Sequence, residues 1–463
     1  MKMKRLLAKI LSFALIIGTA VQINTKTVKA ADYWPGGVDV VAESAVVMEV
    51  ETGTILYAKN MDDKHFPASI TKIMTALVVL EHCSLDETVT FSSDAVYGTE
   101  LGSSSIARDV NEEMTVEQTL YGMMLESANE CAHALGEHVA GDVPSFAKMM
   151  NEKAKELGCT NTHFNNTNGL PDDDHYTSAH DMALIARAAY KIPKFAEITG
   201  TKNYTIPPTN KHPDPTPLNN HHCMLHYYKT NEYLYDYCVG GKTGYTVVAG
   251  ATLVTYAKKD GMTLVCVVMK DDVRNQYYDT RSLFDYSFDN FTIYSVADFA
   301  SIAENDTKIT GTLSENSELI KVDDSGIIVI PKTASVLDVK SSVVPYTDPN
   351  NSSVVGQLQY TYADRPVGNA NLIYTNAEVE SYPFDNIPKK KGGSGKDYIQ
   401  VDYPKIGLVI LLIIVLFLIL KFIKSKSSEI LLFKHRFFSR RRRMPKNNMT
   451  IIRRNGRGRR RRR

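Results

Sequence analysis

The chain has 463 residues, of which 43% are hydrophobic and 23% charged, a length that excludes a single small domain and allows two or three. Its net charge of +1 hides an asymmetry, because residues 1–30 carry six basic and no acidic side chains and residues 421–463 carry eighteen basic and one acidic. Residues 31–420 hold the other 29 basic and 51 acidic side chains. The near-neutral total therefore describes none of the three parts.

The first 30 residues predict a secretory signal peptide. A basic start over residues 2–9 precedes an apolar run over 10–21, and small residues follow at a plausible cleavage site over 28–30. Cleavage there would place the start of the mature chain near Ala31. An uncleaved membrane anchor is the alternative interpretation.

Residues 38–295 predict one mixed α/β domain, because strand patterns lie at both ends of a helical insert. Such an arrangement favours a single sheet that is assembled from both ends of the domain. The predicted elements, in chain order, are a hairpin over 44–59, a helix over 69–81, a mainly helical stretch over 115–190, strands over 239–269 and a last helix over 279–291.

The following segment, residues 298–385, has short alternating apolar runs separated by Gly, Pro and Asn, which predicts a small β-sandwich domain. Residues 386–403 contain a Lys-Lys-Lys-Gly-Gly-Ser-Gly run that is typical of a flexible linker.

Residues 404–423 predict a C-terminal transmembrane helix. Ile406 to Leu420 has no polar side chain, and Lys405 and Lys421 can extend toward the lipid headgroups, so the usable span approaches the roughly 20 residues that a bilayer needs. The basic residues that follow predict a cytoplasmic tail over 424–463. The body of the protein is then expected outside the bacterial cell membrane, anchored in the lipid bilayer.

The arginine-rich tail has two interpretations. Basic runs bind nucleic acid or anionic lipid. We favour lipid and do not expect nucleic acid as a partner, because no folded or aromatic-interleaved nucleic-acid module accompanies the run.

The six cysteines that follow the signal are expected to be mostly free, buried thiols. One disulfide among them is the alternative that the sequence leaves open. Six in about 390 residues is sparse, and their spacing matches neither a disulfide framework nor a metal site. The cysteines are Cys83, Cys131, Cys159, Cys223, Cys238 and Cys266.

The string Ser69-Ile70-Thr71-Lys72 places a serine and a lysine on one face of a predicted helix, with Cβ atoms about 5–6 Å apart. Pro67 and Ala68 precede it, so Ser69 lies at the helix start, where its backbone N–H is free to bind an oxyanion. A serine hydroxyl needs a base to become a nucleophile. Lys72 can be that base if burial and a second cation lower its pKa. In isolation, however, such a string is usually an ordinary helix turn.

Two further strings lie downstream. Ser127-Ala128-Asn129 falls between two helical windows, where a loop can direct its side chains toward the serine–lysine pair. Lys242-Thr243-Gly244 precedes a predicted strand pair, and a strand edge can hold an extended peptide by backbone pairing. Lys242 is also the candidate second cation. Each of these two strings alone is weak evidence for a functional site. The Ser-Ala-Asn string also fits a helix cap, and the Lys-Thr-Gly string also fits a surface turn.

In this order and at this spacing, the three strings resemble the nucleophile, shuttle and binding-strand motifs of penicillin-binding proteins and serine β-lactamases. Residues 66–75 more closely resemble the catalytic helix of low-molecular-mass D-alanyl-D-alanine carboxypeptidases, and residues 162–183 resemble the segment that these enzymes carry after the second motif. The resemblance covers most of residues 38–295. It implies a penicillin-binding-protein-like α/β fold, but the family often ends in an amphipathic helix on the membrane surface, and the basic tail has no family counterpart.

The resemblance implies a serine-type D-Ala-D-Ala carboxypeptidase. Such an enzyme trims the terminal D-alanine from peptidoglycan pentapeptide stems through an acyl-enzyme on Ser69, with Lys72 as the base and Ser127 returning the proton to the leaving amine. Penicillins and other β-lactams would acylate the same serine. No metal ion or organic cofactor is implied.

The implied substrate-binding residues have separate roles. Asn129 would contact the substrate amide or Lys72, and Lys242 and Thr243 would face the terminal carboxylate. Gly244 would let the substrate approach, the Tyr245 backbone N–H would be a second oxyanion donor, and Arg274 would be an extra carboxylate anchor. His175, in the segment after the second motif, is more often structural than catalytic in such a position.

Three other functions would use some of the same motif residues. A β-lactamase that deacylates through glutamate needs a Glu-x-x-Leu-Asn string, whereas Leu218-Asn219 here has no such glutamate. A D,D-endopeptidase would use the same residues and stays open. A binding protein without catalysis is disfavoured by the complete motif set.

Overall fold

The computed structural model describes residues 33–98, 100, 102–297, 320–346, 348 and 351–374. The predicted signal peptide, linker, membrane span and basic tail lie outside these residues. Within the described ranges, no helix is both long and apolar enough to cross a membrane. All six cysteines are free, and four of them are buried.

The first domain is built on a five-stranded antiparallel sheet and two small hairpins. Its strands are β1 (Ser44–Glu49), β2 (Ile55–Lys59), β3 (Thr88–Thr90), β4 (Glu113–Thr115), β5 (Asn203–Ile206), β6 (Thr216–Asn219), β7 (Cys238–Thr246), β8 (Gly250–Lys259) and β9 (Met262–Asp271). The large sheet has the order β2-β1-β9-β8-β7, and β3 pairs with β4 and β5 with β6.

The large sheet joins both ends of the domain, which confirms that prediction. Strand β1 pairs with β9, with Ser44 opposite Met269. Strand β7, which carries the Lys-Thr-Gly string, lies at the edge of the sheet. An edge strand has one row of backbone groups that no strand of the sheet pairs, so β7 can accept an extended peptide.

Helices cover both faces of this sheet. They are α1 (Lys72–His82), α2 (Ser93–Tyr97), α3 (Val116–Leu125), α4 (Asn129–Ala140), α5 (Val143–Glu156), α6 (Ala179–Tyr190), α7 (Pro193–Gly200) and α8 (Asn275–Asn290). The helix expected over 69–81 is divided, because a 3-10 turn over Ala68–Thr71 precedes α1. The Ser69 turn is therefore tighter than the regular helix that the periodicity predicted.

The strands read as nearly continuous apolar runs because both faces of the sheet are buried. Val46 and Met48 of β1 lie in the larger core, with α1 and α3–α7. Ala45 and Val47, which alternate with them, lie in a second core with α8. The alternation follows from the two-residue period of a strand.

Residues after α8 form a second, antiparallel sheet. Its strands are β10 (Phe291–Ser295), β11 (Ile320–Val322), β12 (Ile327–Pro331), β13 (Lys340–Val344), β14 (Val354–Tyr362) and β15 (Arg365–Tyr374). The order is β10-β12-β15-β14-β13, with β11 also on β15. The described residues here form this one hydrogen-bonded sheet, and the β-sandwich arrangement stays a prediction. The first strand of the sheet lies within the range that was assigned to the catalytic domain.

Trp34 lies where the two sheets meet. Its ring packs against Phe291 with a centroid distance of 5.1 Å, and the Arg365 guanidinium lies 4.8 Å from its ring centroid. The backbone N–H of Tyr33 also donates to the Tyr362 hydroxyl. The first described residues thus join β10, β14 and β15.

A buried ion pair holds the connection between α2 and β4. Arg108 Nη1 lies 2.8 Å from Glu112 Oε1, with side-chain exposures of 3% and 0%. Thr209 donates a further hydrogen bond to this carboxylate. The same connection contributes Ser105, whose hydroxyl donates to Glu130 in the first turn of α4. The pair therefore supports the start of the helix that carries Asn129.

We expect Arg108→Met to lower the free energy of unfolding by up to about 3–5 kcal/mol, because it removes the guanidinium from the buried Glu112 carboxylate and leaves only the His212 ring, 3.0 Å away, to supply a positive charge. The measurement is urea denaturation followed by circular dichroism. The control is Lys148→Met, since the Lys148–Glu152 pair is 4.0 Å long and exposed, and its loss should cost less than about 1 kcal/mol. Equal effects of the two substitutions would contradict the assignment.

Candidate active site

Ser69 lies on a turn that is held from two sides. Ala68 has φ 51°, in the left-handed region that costs a non-glycine residue conformational energy. The Thr252 hydroxyl of β8 donates to the Pro67 carbonyl at 2.8 Å. On the other side, a Cβ on Gly169 would lie 1.8 Å from the Ala68 carbonyl oxygen, so only glycine fits there. The strained turn is maintained by its surroundings.

Lys72 is fully buried and makes three contacts. Its Nζ lies 3.1 Å from Ser69 Oγ, 2.7 Å from Asn129 Oδ1 and 2.8 Å from the Asn168 carbonyl oxygen. Burial lowers the pKa of this amine well below its usual value, and the nearby Lys242 lowers it further. Both causes are those that the sequence predicted.

These contacts leave the Lys72 amine ready to act as a base. A neutral amine has two N–H donors and one lone pair. The oxygens of Asn129 and Asn168 are hydrogen-bond acceptors and cannot donate, so each accepts one of the two N–H groups of the amine. The lone pair is then available to Ser69 Oγ at 3.1 Å. This arrangement lets the amine take the hydroxyl proton, as general base catalysis requires.

Ser127 lies between α3 and α4 in a strained conformation. Its φ is 62°, and it is only 5% exposed. Its Oγ makes no hydrogen bond with any residue that the structure describes. Backbone strain together with an unpaired buried hydroxyl is typical of a functional residue. The structure thus leaves Ser127 able to bond a reacting group.

Lys242 is the second buried cation, and a glutamate moderates its charge. Burial lowers its pKa to about 7, and the charge of Glu126 acts in the opposite direction. The Glu126 carboxylate accepts from the backbone N–H of Asn219 at 2.7 Å and lies 2.7 Å from His221 Nε2. Glu126 therefore favours the charged form of Lys242.

Gly244 has a packing role beside the one predicted for it. A Cβ at this position would lie 2.8 Å from the Ser69 backbone nitrogen and 2.4 Å from Thr252 Oγ1. The glycine therefore lets β7 approach the nucleophile turn, and its role in substrate approach stays a prediction. Tyr245 follows directly, and the role of its backbone N–H as a second oxyanion donor stays a prediction.

The remaining predicted residues lie toward the end of β7 or beyond the sheet. Thr243 is partly exposed, and Tyr245 is 59% exposed. Arg274 is exposed at the start of α8, where its backbone N–H donates to Asp272. It follows the end of β9, where Asp271 pairs with Ala251. Its role as a carboxylate anchor stays a prediction.

His175 is a structural residue. Its Nδ1 accepts from the backbone N–H of Asn165, so Nε2 carries the proton and donates to Thr71 Oγ1 at 2.9 Å. Burial lowers its pKa to about 4, so the ring is neutral at ordinary pH. It joins the Asn168 loop to the Ser69 turn.

Two contributors were not singled out from the sequence. Asn168 acts through its backbone carbonyl, to which the residue type gives no clue, although it lies in the segment that resembles the family. Glu126 directly precedes the Ser-Ala-Asn string. The sequence feature that could have identified Glu126 is a carboxylate next to the shuttle motif in a chain with a predicted buried lysine.

Comparisons with known proteins agree with this geometry. A family model described as D-alanyl-D-alanine carboxypeptidase, Peptidase S11, matches residues 25–273. The DacF carboxypeptidase of Bacillus subtilis is 36% identical over 54% of this chain and 63% of its own length. Penicillin binding protein 5 of Haemophilus influenzae has a TM-score of 0.56 at 26% identity, covering 74% of this chain and 98% of that one. A DD-transpeptidase of Streptomyces has a TM-score of 0.50 at 31% identity, covering 55% and 100%.

We expect Gly244→Ala to slow acylation of Ser69 by a fluorescent penicillin by about 100-fold, because the added methyl group displaces the nucleophile turn from β7. The measurement is the rate of covalent labelling on a gel. Gly36→Ala is the control, since a Cβ there meets no atom within 4 Å. Labelling of Gly244→Ala at the control rate would disprove the close-packing argument.

Proposed function

Because the chain belongs to the D-alanyl-D-alanine carboxypeptidase family, we propose that it removes the terminal D-alanine from peptidoglycan pentapeptide stems. The observation that carries the proposal is the Lys72 amine, whose two donors have oxygen partners and whose lone pair is left for Ser69. That arrangement serves a serine nucleophile and has no use in a protein that only binds its ligand.

Acylation follows from these positions. Ser69 Oγ gives its proton to Lys72 Nζ and attacks the carbonyl carbon of the penultimate D-alanine. The negative oxygen is stabilised by the backbone N–H groups of Ser69 and Tyr245. When the carbon–nitrogen bond breaks, the leaving amine receives a proton through the Ser127 hydroxyl. Water then hydrolyses the ester and releases the shortened stem.

Substrate recognition uses the edge of β7, which carries Lys242 and Thr243, together with Asn129. The extended D-Ala-D-Ala end lies along β7, and its carboxylate pairs with the Lys242 ammonium and the Thr243 hydroxyl. Asn129 orients the substrate amide as well as Lys72. Penicillins present a carboxylate and a strained amide in the same arrangement, so they acylate Ser69 and inhibit the enzyme.

We also propose that the protein is exported and anchored in the cell membrane. Residues 1–30 direct secretion, residues 404–423 span the bilayer, and the tail over 424–463 lies in the cytoplasm against anionic lipid. The support is the sequence pattern alone, and a wall substrate agrees with that location.

The direct test is product analysis of the purified chain with a peptidoglycan pentapeptide. We expect release of one D-alanine by the wild type and a loss of at least about 10⁴-fold in Ser69→Ala. Cleavage of cross-linked dimers without D-alanine release would favour an endopeptidase. Transfer of the stem to an added amine would favour transpeptidation, and covalent penicillin binding without turnover would favour a binding protein.

The pH dependence of kcat/KM should distinguish the role of Lys242 as a cation from that of Lys72 as a base. We expect kcat/KM to fall as the pH rises through about 7, because Lys242 then loses the proton that pairs with the substrate carboxylate. Glu126→Gln removes the charge that supports this proton, so the fall should move to lower pH. Lys242→Arg keeps the cation at all pH values and should move the fall to higher pH.

Glu137→Gln is the control for the pH experiment. Glu137 lies 3.2 Å from His133, as Glu126 lies beside His221, but its charge is not among those that act on Lys242. Its profile should match the wild type. If Glu126→Gln and Glu137→Gln move the profile equally, the specific effect of Glu126 is wrong.

Truncation tests the anchor. A chain that ends at residue 403 should appear in the soluble fraction after cell disruption, while a chain that ends at residue 423 should stay with the membranes, because it keeps the span and none of the tail. Release of the second chain would contradict the assignment of the span and would make the tail the main membrane contact.

A further inference from the structure

Three potential metal ligands meet away from the catalytic serine. Cys83 Sγ, a carboxylate oxygen of Glu87 and a ring nitrogen of His138 all lie within 4.8 Å of one another. Cys83 is the C-cap of α1, the helix that begins at Lys72. Since α1 has eleven residues, the cluster is about 16 Å from Lys72 along the helix axis. None of the three takes part in the proposed reaction.

We propose that Cys83, Glu87 and His138 bind one zinc ion. Thiolate, imidazole and carboxylate are the three protein ligands that zinc takes, at about 2.3 Å for sulfur and about 2.0–2.2 Å for nitrogen and oxygen. In a tetrahedral site with these bond lengths two ligand atoms lie about 3.3–3.7 Å apart, so side-chain rotations that shorten the longest separation in the cluster by about 1 Å close it around the ion. The thiolate and carboxylate neutralise both charges of the ion, and water completes the tetrahedron.

Glu87 is already held in position. Its carboxylate accepts from the backbone N–H of Ser84 at 2.5 Å and lies 3.0 Å from His138 Nε2. The backbone of the same turn is fixed by α3, since the N–H of Val116 donates to the Glu87 carbonyl at 2.9 Å. A short, doubly anchored turn loses little conformational freedom when it binds an ion.

Helix dipoles also favour a cation here. Cys83 ends α1, and His138 lies in the last turn of α4. The C-terminal ends of two helices thus meet at the cluster, and each carries partial negative charge from its unpaired carbonyl groups. When the sulfur–zinc bond forms, the Cys83 thiol releases its proton to solvent.

The bound ion would join the two helices whose first residues are Lys72 and Asn129. A site at their far ends ties α1 to α4 without entering the active site. We therefore expect zinc to stabilise the domain against heat and to leave the rate of Ser69 acylation unchanged at moderate temperature.

The test is a zinc titration of the full-length, tag-free protein after removal of metal by a chelator. We expect one zinc ion per chain, and a loss of affinity of at least about 100-fold in both Cys83→Ala and His138→Asn. Cobalt, used in place of zinc, should give a thiolate-to-metal absorption band that Cys83→Ala lacks. The matched controls are Cys159→Ala and His133→Asn, which change a cysteine and a histidine outside the cluster.

Labelling by fluorescent penicillin shows that each variant is folded. The proposal is overturned if wild-type protein takes up no stoichiometric zinc, if the cluster variants bind zinc as tightly as the controls, or if the cobalt form lacks the thiolate band. The titration does not measure peptide cleavage, so its outcome is independent of the proposed carboxypeptidase activity.

Discussion

The active site depends on two lysines that share one low-dielectric space and need opposite protonation states. Two ammonium groups cannot both stay charged there without a large electrostatic cost. The structure resolves this by giving each amine different partners. Lys72 donates to the oxygens of Asn129 and Asn168 and is buried completely, whereas Lys242 has the Glu126 charge nearby. Burial thereby favours the base form of Lys72, and Lys242, with a pKa of about 7, is the cation for carboxylates below that pH.

The elements that maintain this difference come from distant parts of the chain. Ser69 and Lys72 follow the first hairpin, Asn129 begins α4, and Lys242 lies on the edge strand. The backbone is strained at Ala68, which directly precedes the nucleophile, and at Ser127. The energy for this strain comes from the packing of the sheet and helices around it, such as the Gly244 contact with the nucleophile turn.

Sequence patterns predicted the main sheet and the reactive side chains because these depend on residue type and spacing. Ser69, Lys72, Ser127 and Lys242 carry their chemistry in their side chains, and their strings could be recognised. Asn168 contributes a backbone carbonyl, which its residue type does not reveal, and the contact of Gly244 with the Ser69 turn depends on tertiary packing. The 3-10 turn at Ser69 was missed because helical periodicity reports which face is buried and does not report the hydrogen-bonding pattern at a helix start. The number of layers in the second domain stays a prediction, because alternation within strands shows which residues share a face and does not show how many layers the strands form.

The pairing of β1 with β9 has a consequence for the time course of synthesis. Met269 lies opposite Ser44, so about 220 residues separate the partners. At about 5–20 residues per second, the ribosome delivers β9 roughly 10–45 s after β1. During that interval the apolar β1–β2 hairpin has no neighbour to cover its open side, and it is exposed to aggregation. The nascent chain therefore needs protection by a chaperone until Asp271, the end of β9, has been made, and the sequence separation of β1 and β9 determines how long this protection is needed.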